Sequence, residues 1–454
     1  MSAPSNDGFP SLKIDTGNQN PIEQDLVILD DDDDIITINP DLSTIERVQR
    51  LRRLRRVDRV VSIKPGLENR GNQCFMNAMI QCLAVSPCIL GFINKYTDDD
   101  TNHAECSKKY ELGRVKMNNI PDYIKHVFEN FNFHMPPSDI RILSKISKNT
   151  KDIFTYICFK DIILKLQQKQ SSFISSARFI SVIREVECGG IYEHLFNGSQ
   201  NDPHEFLAYI LDKMHNAKSS AVNITIPQAL MDSDEDIYHR KYLEHLKSRY
   251  EKDFSYFVMN LYYYIINVVE CSHCGNQSIE VSPNDVLCLP LPGDWQKRGG
   301  REIDLDECLN EMFKVEMIDY KCEKCGNQKD NRLDKKILTK PKTIIIKLKR
   351  YAQIGSDIIK VGNMINYPAE LNIDQYHCGQ DLGTYKLYGV INHIGNMNFG
   401  HYYSYVNDNP GGGSDGCGAF TDQWYECNDE DVQQISMHKV LQSSNAYILF
   451  YHSS

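Results

Sequence analysis

The chain has 454 residues, 41% of them hydrophobic and 24% charged, and a formal net charge of -11 at pH 7. That length exceeds one ordinary domain, the apolar share suffices for a sizeable core, and the acidic excess argues against a body that binds nucleic-acid phosphates. No apolar run reaches transmembrane length and the polar N-terminus lacks a signal-peptide pattern, so the expectation is an intracellular protein with no membrane partner. The 15 cysteines are scattered apart from paired C-x-x-C motifs, which in a reducing compartment favours thiols and metal ligands over disulfides.

Residues 1–63 read as a tail. Residues 1–25 are polar with little periodicity, the pattern of a disordered segment. Then DLVILDDDDDIITI sets a β-prone cluster, Leu26 with Val27, Ile28 and Leu29, and a second, Ile35 with Ile36, Thr37 and Ile38, on either side of an aspartate run. Such a segment can add as a strand to an exposed sheet edge while its carboxylates meet a basic rim. The competing reading is a solvated acidic tail with chance aliphatics. Next, TIERVQRLRRLRRVDRV interleaves arginines with apolar residues as a basic amphipathic helix would. A nuclear-import signal is favoured over an anionic-surface contact or a partner for the aspartates.

At 66–88 a Gly-, Asn- and Gln-rich loop runs into an apolar-periodic segment with Cys74 at the junction. Met76, Met79, Ile80 and Leu83 recur at helical spacing, which puts Cys74 at a helix N-terminus. Backbone N–H groups and the positive end of the helix dipole there favour thiolate over thiol. Two readings of Cys74 stand at this point: a nucleophile, or a small core residue like Cys82 and Cys88.

Residues 94–150 are polar, with a helix predicted over 123–133, and 151–186 continue as helical segments. In SQNDPHEFLAYILDKMH, Asp202 is placed to cap a helix whose one face carries Phe206, Leu207, Ile210, Leu211 and Met214. Residues 216–250 read as an insertion ending in a charged helix. After Phe254 the segments YFVMNLYYYIINVVEC, DVLCLPLP, KTIIIKLKRY, YKLYGVINHI, HYYSYV and AYILFYHS are rich in β-branched and aromatic residues bounded by Pro, Gly and Asn. Helices followed by a largely antiparallel sheet make an α+β plan.

Two constellations carry chemistry. Cys271 with Cys274, and Cys322 with Cys325, form C-x-x-C knuckles, each followed by a glycine that permits the turn back. Four thiolates at this spacing suit one tetrahedral, structural zinc, with His273 outside the ligand set. The second is a partner for Cys74, since a cysteine nucleophile needs a base in reach and a group fixing that base's tautomer. His401 opens an aromatic strand just after Gly400, whose missing side chain would let a substrate backbone approach. In WYECNDEDV, Asn428 and Asp429 follow at a strand end, where an amide or carboxylate could accept from the imidazole. A packed histidine and a plain turn remain the alternative at this level.

GLENRGNQCFMNAMIQCL resembles the cysteine box of the ubiquitin-specific proteases, papain-like deubiquitinases. SQNDPHEFL, VLCLPLP, IIIKLKRY, and YGVINHIGNMNFGHYYSYV followed by WYECNDEDV resemble that family's later landmarks in order. The knuckles fall where the family carries its fingers. The resemblance implies a papain-like thumb, palm and fingers architecture over residues 64–454, with zinc-ribbon fingers within about 255–335. Separately, the clusters Leu26–Leu29 and Ile35–Ile38 on either side of the aspartate run resemble a SUMO-interacting motif. By position the family resemblance implies Cys74 as nucleophile, His401 as base, Asn428 as the third triad member and Asp429 as its acidic neighbour. Asn69 matches the oxyanion-hole donor, and Asp202 and His204 match positions facing the ubiquitin tail. Gln73, Phe75, Asn201 and Pro203 depart from the commoner residues without removing a catalytic group. The expected function is hydrolysis at the C-terminal glycine of ubiquitin through an acyl-enzyme. The alternatives are a ubiquitin- and SUMO-binding adaptor and a protease for another ubiquitin-like modifier.

Overall fold

The computed structural model describes residues 13–15, 64–96, 148–226, 237–379, 383–396, 399–408 and 423–453. The aspartate-flanking clusters, the arginine-rich segment, the helix expected over 123–133 and nearly all of the Gly-rich stretch at 409–423 lie outside them.

Helix α1 (Cys74–Ala84) starts at the predicted junction. The expected face of Met76, Met79, Ile80 and Leu83 is buried, and so is every other residue of the helix. A helix covered all round runs through a core, and α1 packs between the helices α3 (Lys148–Gln168) and α5 (Pro203–Lys218) and the main sheet. α2 (Pro87–Lys95) follows α1 after Ser86, which caps it with Pro87 at the first helical position. α4 (Ala177–Val186) ends at Glu187, which shares a buried ionic triad: Lys213 Nζ lies 2.8 Å from Asp152 and 3.1 Å from Glu187. α5 begins as read from its sequence. Asp202 Oδ1 accepts from His204 N at 2.9 Å, and Phe206, Leu207, Ile210, Leu211 and Met214 are all buried.

Three stretches depart from expectation. Lys13–Asp15, inside the segment expected to be disordered, forms β1 and pairs antiparallel with β2 (Asn223–Thr225), supplying partners for an isolated strand's backbone groups. The charged helix of the expected insertion, α6 (Ile237–Tyr250), buries Tyr242, Leu243, Leu246 and Tyr250 in a core of its own with Val222, Ile224, Val258 and Tyr264. It is therefore an integral joint between the helical and β halves. Tyr256–Asn260, read from composition as strand, is a helical turn, because Ser255 caps it through Phe257 N at 3.3 Å.

From Tyr263 onwards the chain is mostly strand. β3 (Tyr263–Glu270) and β4 (Gln277–Asn284) form a hairpin, β5 (Leu287–Leu289) follows, and β6 (Glu316–Ile318) and β7 (Asn331–Ile337) return to it. Then come β8 (Thr343–Leu348), β9 (Glu370–Asn372), β10 (Thr384–Gly395), β11 (Gly400–Asn407), β12 (Trp424–Asn428), β13 (Asp431–Ile435) and β14 (Ala446–Ser453). One sheet has the order β4-β3-β7-β6 and carries the cysteine knuckles at its end. The other has the order β13-β12-β11-β10-β14-β8-β5, with β9 on β10 and only the β8–β5 pair parallel.

The apolar runs IIIKL and YILFY follow from a sheet buried on both faces. Ile345, Ile448 and Phe450 join the core under the helices, while the alternate residues Ile344, Ile346, Leu449 and Tyr451 join a second core with Leu305 and Leu309. Helices, main sheet and cysteine-bearing sheet correspond to thumb, palm and fingers. Among the described residues no single helix is long and apolar enough to cross a membrane.

Candidate active site and candidate metal centre

Cys74 is the first residue of α1 and is 3% exposed. His401 lies on β11 opposite Ile394 of β10, and α1 packs across β11. This crossing brings the two residues together: His401 makes a side-chain hydrogen bond with Cys74. On its other side His401 Nε2 stands 2.6 Å from Asn428 Oδ1 at the end of β12. Asn428 offers a carbonyl oxygen, so Nε2 is the donor and Nδ1 is left for the sulfur. The Cys74 hydrogen bond and its negative charge raise the His401 pKa to about 9, aided by Asn428 and the Asp429 charge and opposed by burial. His401 is thus an imidazolium at neutral pH.

Asp429 has a different place. It sits in the two-residue turn between β12 and β13, with φ of 53°, and its Oδ2 is 4.0 Å from His401 Nε2. Its Oδ2 accepts from Asn69 Nδ2 and its Oδ1 from Asn77 Nδ2, both at 2.8 Å. Its main-chain oxygen takes Leu67 N at 2.8 Å, and neighbouring Glu430 takes Asn69 N at 2.8 Å. The loop leading to Cys74 is thereby stitched to the turn beside Asn428. Gly66 belongs to this seam, since a Cβ there would come within 2.5 Å of Glu430 O. Asn69 Oδ1 accepts from Gly71 N at 2.9 Å and Gln73 N at 3.2 Å, so its amide is fixed in orientation with one N–H on Asp429 and its second N–H left over.

The other singled-out residues lie at the starts of α5 and β11. Asp202 Oδ2 accepts from Lys347 Nζ and Tyr447 OH, both at 2.7 Å. Although burial pushes the other way, Lys347, Tyr447 and the helix N–H hold the Asp202 carboxyl below the usual carboxylate range. His204 is half-buried, and burial with nearby Lys347 keeps its pKa below the ordinary value. At Gly400 the reason for glycine differs from the one expected: a Cβ would lie 2.1 Å from His393 Nε2, so the buried His393 underneath requires its absence. Asn77, Gln200, Lys347 and Tyr447 are not singled out by sequence reasoning. For Asn77 a signal exists: with Gln81 it is one of the few polar side chains in an otherwise apolar helix.

At the far end of the β4-β3-β7-β6 sheet the sulfurs of Cys271, Cys274, Cys322 and Cys325 all lie within 4.8 Å of one another. Cys271 and Cys325 sulfurs are 3.5 Å apart and Cys274 and Cys322 3.7 Å. Tetrahedral thiolates around zinc stand about 3.8 Å apart, so the four fit such an ion. Each knuckle repeats the same backbone bonds. Gly275 N and Gly326 N each donate to the leading cysteine's oxygen at 2.9 Å, and both glycines take positive φ, 66° and 76°. The N–H groups of Cys274 and His273 lower the Cys271 thiol to about 6. Cys325, despite the Asn327 N–H, is pushed up to about 12 by burial and its three neighbouring sulfurs. That crowding of charge is what a bound dication relieves.

Comparison with known proteins places these features in one family. A family model described as ubiquitin carboxyl-terminal hydrolase matches residues 65–451. The probable ubiquitin carboxyl-terminal hydrolase 8 of Schizosaccharomyces pombe is 24% identical over 394 residues, covering 85% of this chain and 64% of that protein. Ubiquitin carboxyl-terminal hydrolase 2 of Homo sapiens is 27% identical over 402 residues, covering 85% of this chain and 54% of that protein. This chain therefore spans less than two thirds of either relative's length. Among solved structures, a SAGA DUB module of Ubp8, Sgf11, Sus1 and Sgf73 bound to monoubiquitin shares the fold. Its TM-score is 0.57 at 19% identity, covering 91% of this chain and 76% of that one. The chain belongs to the ubiquitin carboxyl-terminal hydrolase family.

Proposed function

We propose that this chain is a thiol-dependent deubiquitinase that hydrolyses the isopeptide bond at the C-terminal glycine of ubiquitin. The observation that carries the reading is the line of thiol, imidazole and amide, with His401 hydrogen-bonded to Cys74 and 2.6 Å from Asn428. In that reading the Cys74 thiolate attacks the glycine carbonyl carbon, and the carbonyl electron pair moves onto oxygen. Asn69 and the Cys74 N–H, at the positive end of α1, are the donors for that oxyanion; loss of one such donor costs about 100- to 1000-fold in rate. The tetrahedral species collapses as His401 passes its proton to the departing lysine amine, leaving ubiquitin as a thioester on Cys74. Neutral His401 then takes a proton from water, whose oxygen attacks the thioester, and ubiquitin leaves as the carboxylate with the thiolate restored.

Asn428 is assigned the orientation of His401, by distance. Asp429 is assigned support of the Asn69 loop, because its oxygens face the Asn69 and Asn77 amides. Asp202, His204 and Gly400 are assigned to the channel for the ubiquitin tail. One structural zinc on Cys271, Cys274, Cys322 and Cys325 would tie two hairpins without an open coordination position, so it takes no part in the chemistry. Residues 64–454 form the catalytic domain in this proposal, with the fingers within about 255–335. The tail at 26–38 would hold SUMO, and the arginine-rich segment would direct the chain to the nucleus.

A ubiquitin probe with a C-terminal electrophile tests the reaction directly. The expected result is an adduct on Cys74, absent from Cys74→Ala. No adduct on folded, metal-loaded protein would leave an adaptor that binds without cleaving. Side-by-side cleavage of ubiquitin and SUMO conjugates tests the substrate, and substantial SUMO cleavage would overturn the assignment.

A further inference from the structure

The strand that carries His401 lacks a neighbour where it matters. β12 pairs with β11 only from Ser404 onwards, so Gly400–Tyr403 has β10 on one side and, among the described residues, no strand on the other. On this open edge Gly400 meets a side chain instead. Gln200 Nε2 donates to Gly400 O at 2.8 Å, and Gln200 Oε1 accepts from Gly400 N at 3.2 Å. A primary amide that uses both ends on one residue's N–H and C=O fixes the height and the tilt of that peptide edge.

The same loop reaches the other reacting residue. Asn72 Nδ2 donates to Gly198 O at 2.9 Å, just ahead of Cys74. Asn72 has φ of 53°, a left-handed conformation that asparagine tolerates and that turns the chain into α1. Between its two ends the loop is held to itself and to the sheet. Asn197 Oδ1 takes Ser199 N at 2.8 Å, Asn201 Nδ2 donates to His194 O at 3.1 Å, and Asp202 is fixed by Lys347 and Tyr447. It then enters α5, which packs on α1.

We infer that the 197–202 loop is a brace that sets the separation of Cys74 and His401, with Gln200 and Asn72 as its positioning residues. It grips the residue just before His401, on β11, and the turn just before Cys74, ahead of α1. Neither amide touches the reacting atoms, and both are exposed, so they add little to stability. Their effect is on geometry, where a misplacement of about 1 Å costs on the order of 100-fold in rate. This inference rests on the proposed thiol chemistry, but one of its readouts does not need ubiquitin.

The test uses Gln200→Ala and Asn72→Gly in the full chain, the glycine keeping the left-handed turn while removing the amide. Each is expected to lower kcat on a fluorogenic ubiquitin substrate by about 10- to 100-fold, with KM and melting temperature nearly unchanged. In parallel, alkylation of Cys74 by iodoacetamide is followed across pH by mass spectrometry of the Cys74 peptide. As the imidazolium drifts from the sulfur, the reactive form should appear at higher pH than in the parent. Gln200→Glu, whose carboxylate still accepts from Gly400 N–H but cannot donate to its carbonyl, should fall between. A lower KM with unchanged kcat would make Gln200 a competitor of the substrate tail and overturn the brace. So would variants in which neither kcat nor the alkylation profile moves. A parent that alkylates normally but never cleaves ubiquitin, with shifted profiles in the variants, would retain the brace and defeat the deubiquitinase reading.

Discussion

The cysteine cluster and the Cys74 site solve the same problem, placing sulfur beside charge, in opposite ways. The cluster is built from two copies of one local device, in which a C-x-x-C-G turn donates backbone N–H groups to its own sulfurs. Only the meeting of the two copies depends on the sheet. At Cys74 nothing is repeated: the thiol starts a helix, the imidazole comes from β11, the amide from the end of β12, and the bracing loop from between α4 and α5. A locally built centre fails when its ion is lost, whereas an assembled one fails when any of several distant contacts slackens.

Breaking the cluster should have the largest effect on stability and the least on chemistry. Cys271→Ser is expected to release the metal and loosen the β4-β3-β7-β6 sheet. Structural zinc in small domains is worth on the order of 10 kcal/mol, so metal content and melting temperature should both fall sharply. Iodoacetamide reactivity of Cys74 should stay as in the parent. Unchanged metal content would remove the cluster as a metal site.

The next largest effects sharpen the division between Asn428 and Asp429. Asn428→Ala should lower kcat by about 10- to 100-fold with little loss of stability, because it frees the imidazole to rotate. Asp429→Ala strips the partner from two amides, including the buried Asn77, and should cost about 1–3 kcal/mol of stability as well as rate. Denaturant unfolding beside steady-state kinetics separates the two. Equal destabilisation by both substitutions would erase the distinction.

A smaller but diagnostic effect is pH dependence. The His401 pKa is raised to about 9, above its ordinary value, so the stabilisation from its partners is fully present at acid pH, below the ordinary histidine value, and is lost as pH rises through about 9. The alkaline limb of kcat/KM should fall near there. Because Cys74 is the leading cause, Cys74→Ala should return the His401 pKa towards 6.5, readable by NMR of the ring protons. A pKa that stays near 9 without the sulfur would show that the two are not paired. Least of all, deletion of residues 24–40 should leave cleavage of a small ubiquitin substrate unchanged while weakening SUMO binding. Unaltered SUMO affinity would reduce the segment to an acidic tail.

Much of the fold is legible in the sequence, and unevenly. The Asp202 cap, the buried face of α5 and the run of strands after Tyr263 follow from short-range rules of capping and periodicity, which act within a few residues. Composition misleads where another contact outweighs it: Tyr256–Asn260 is helical behind the Ser255 cap, and α6 is core because Tyr242 and Leu246 find Tyr264 and Ile224. Gly400 shows the same limit, since the glycine is visible in the sequence but its reason, His393 beneath it, lies across a strand pair.

By itself the sequence determined the helix start at Cys74, the α+β plan, both knuckles and, through the order of its motifs, the family. Only the tertiary structure decided that Asn428 rather than Asp429 faces His401, that Asp429 instead secures Asn69 and Asn77, and that Gln200 meets Gly400 while Asn72 meets Gly198. Local chemistry is written in neighbouring residues, while a hydrogen bond between groups some 200 to 360 positions apart exists only once the sheet and helices have packed.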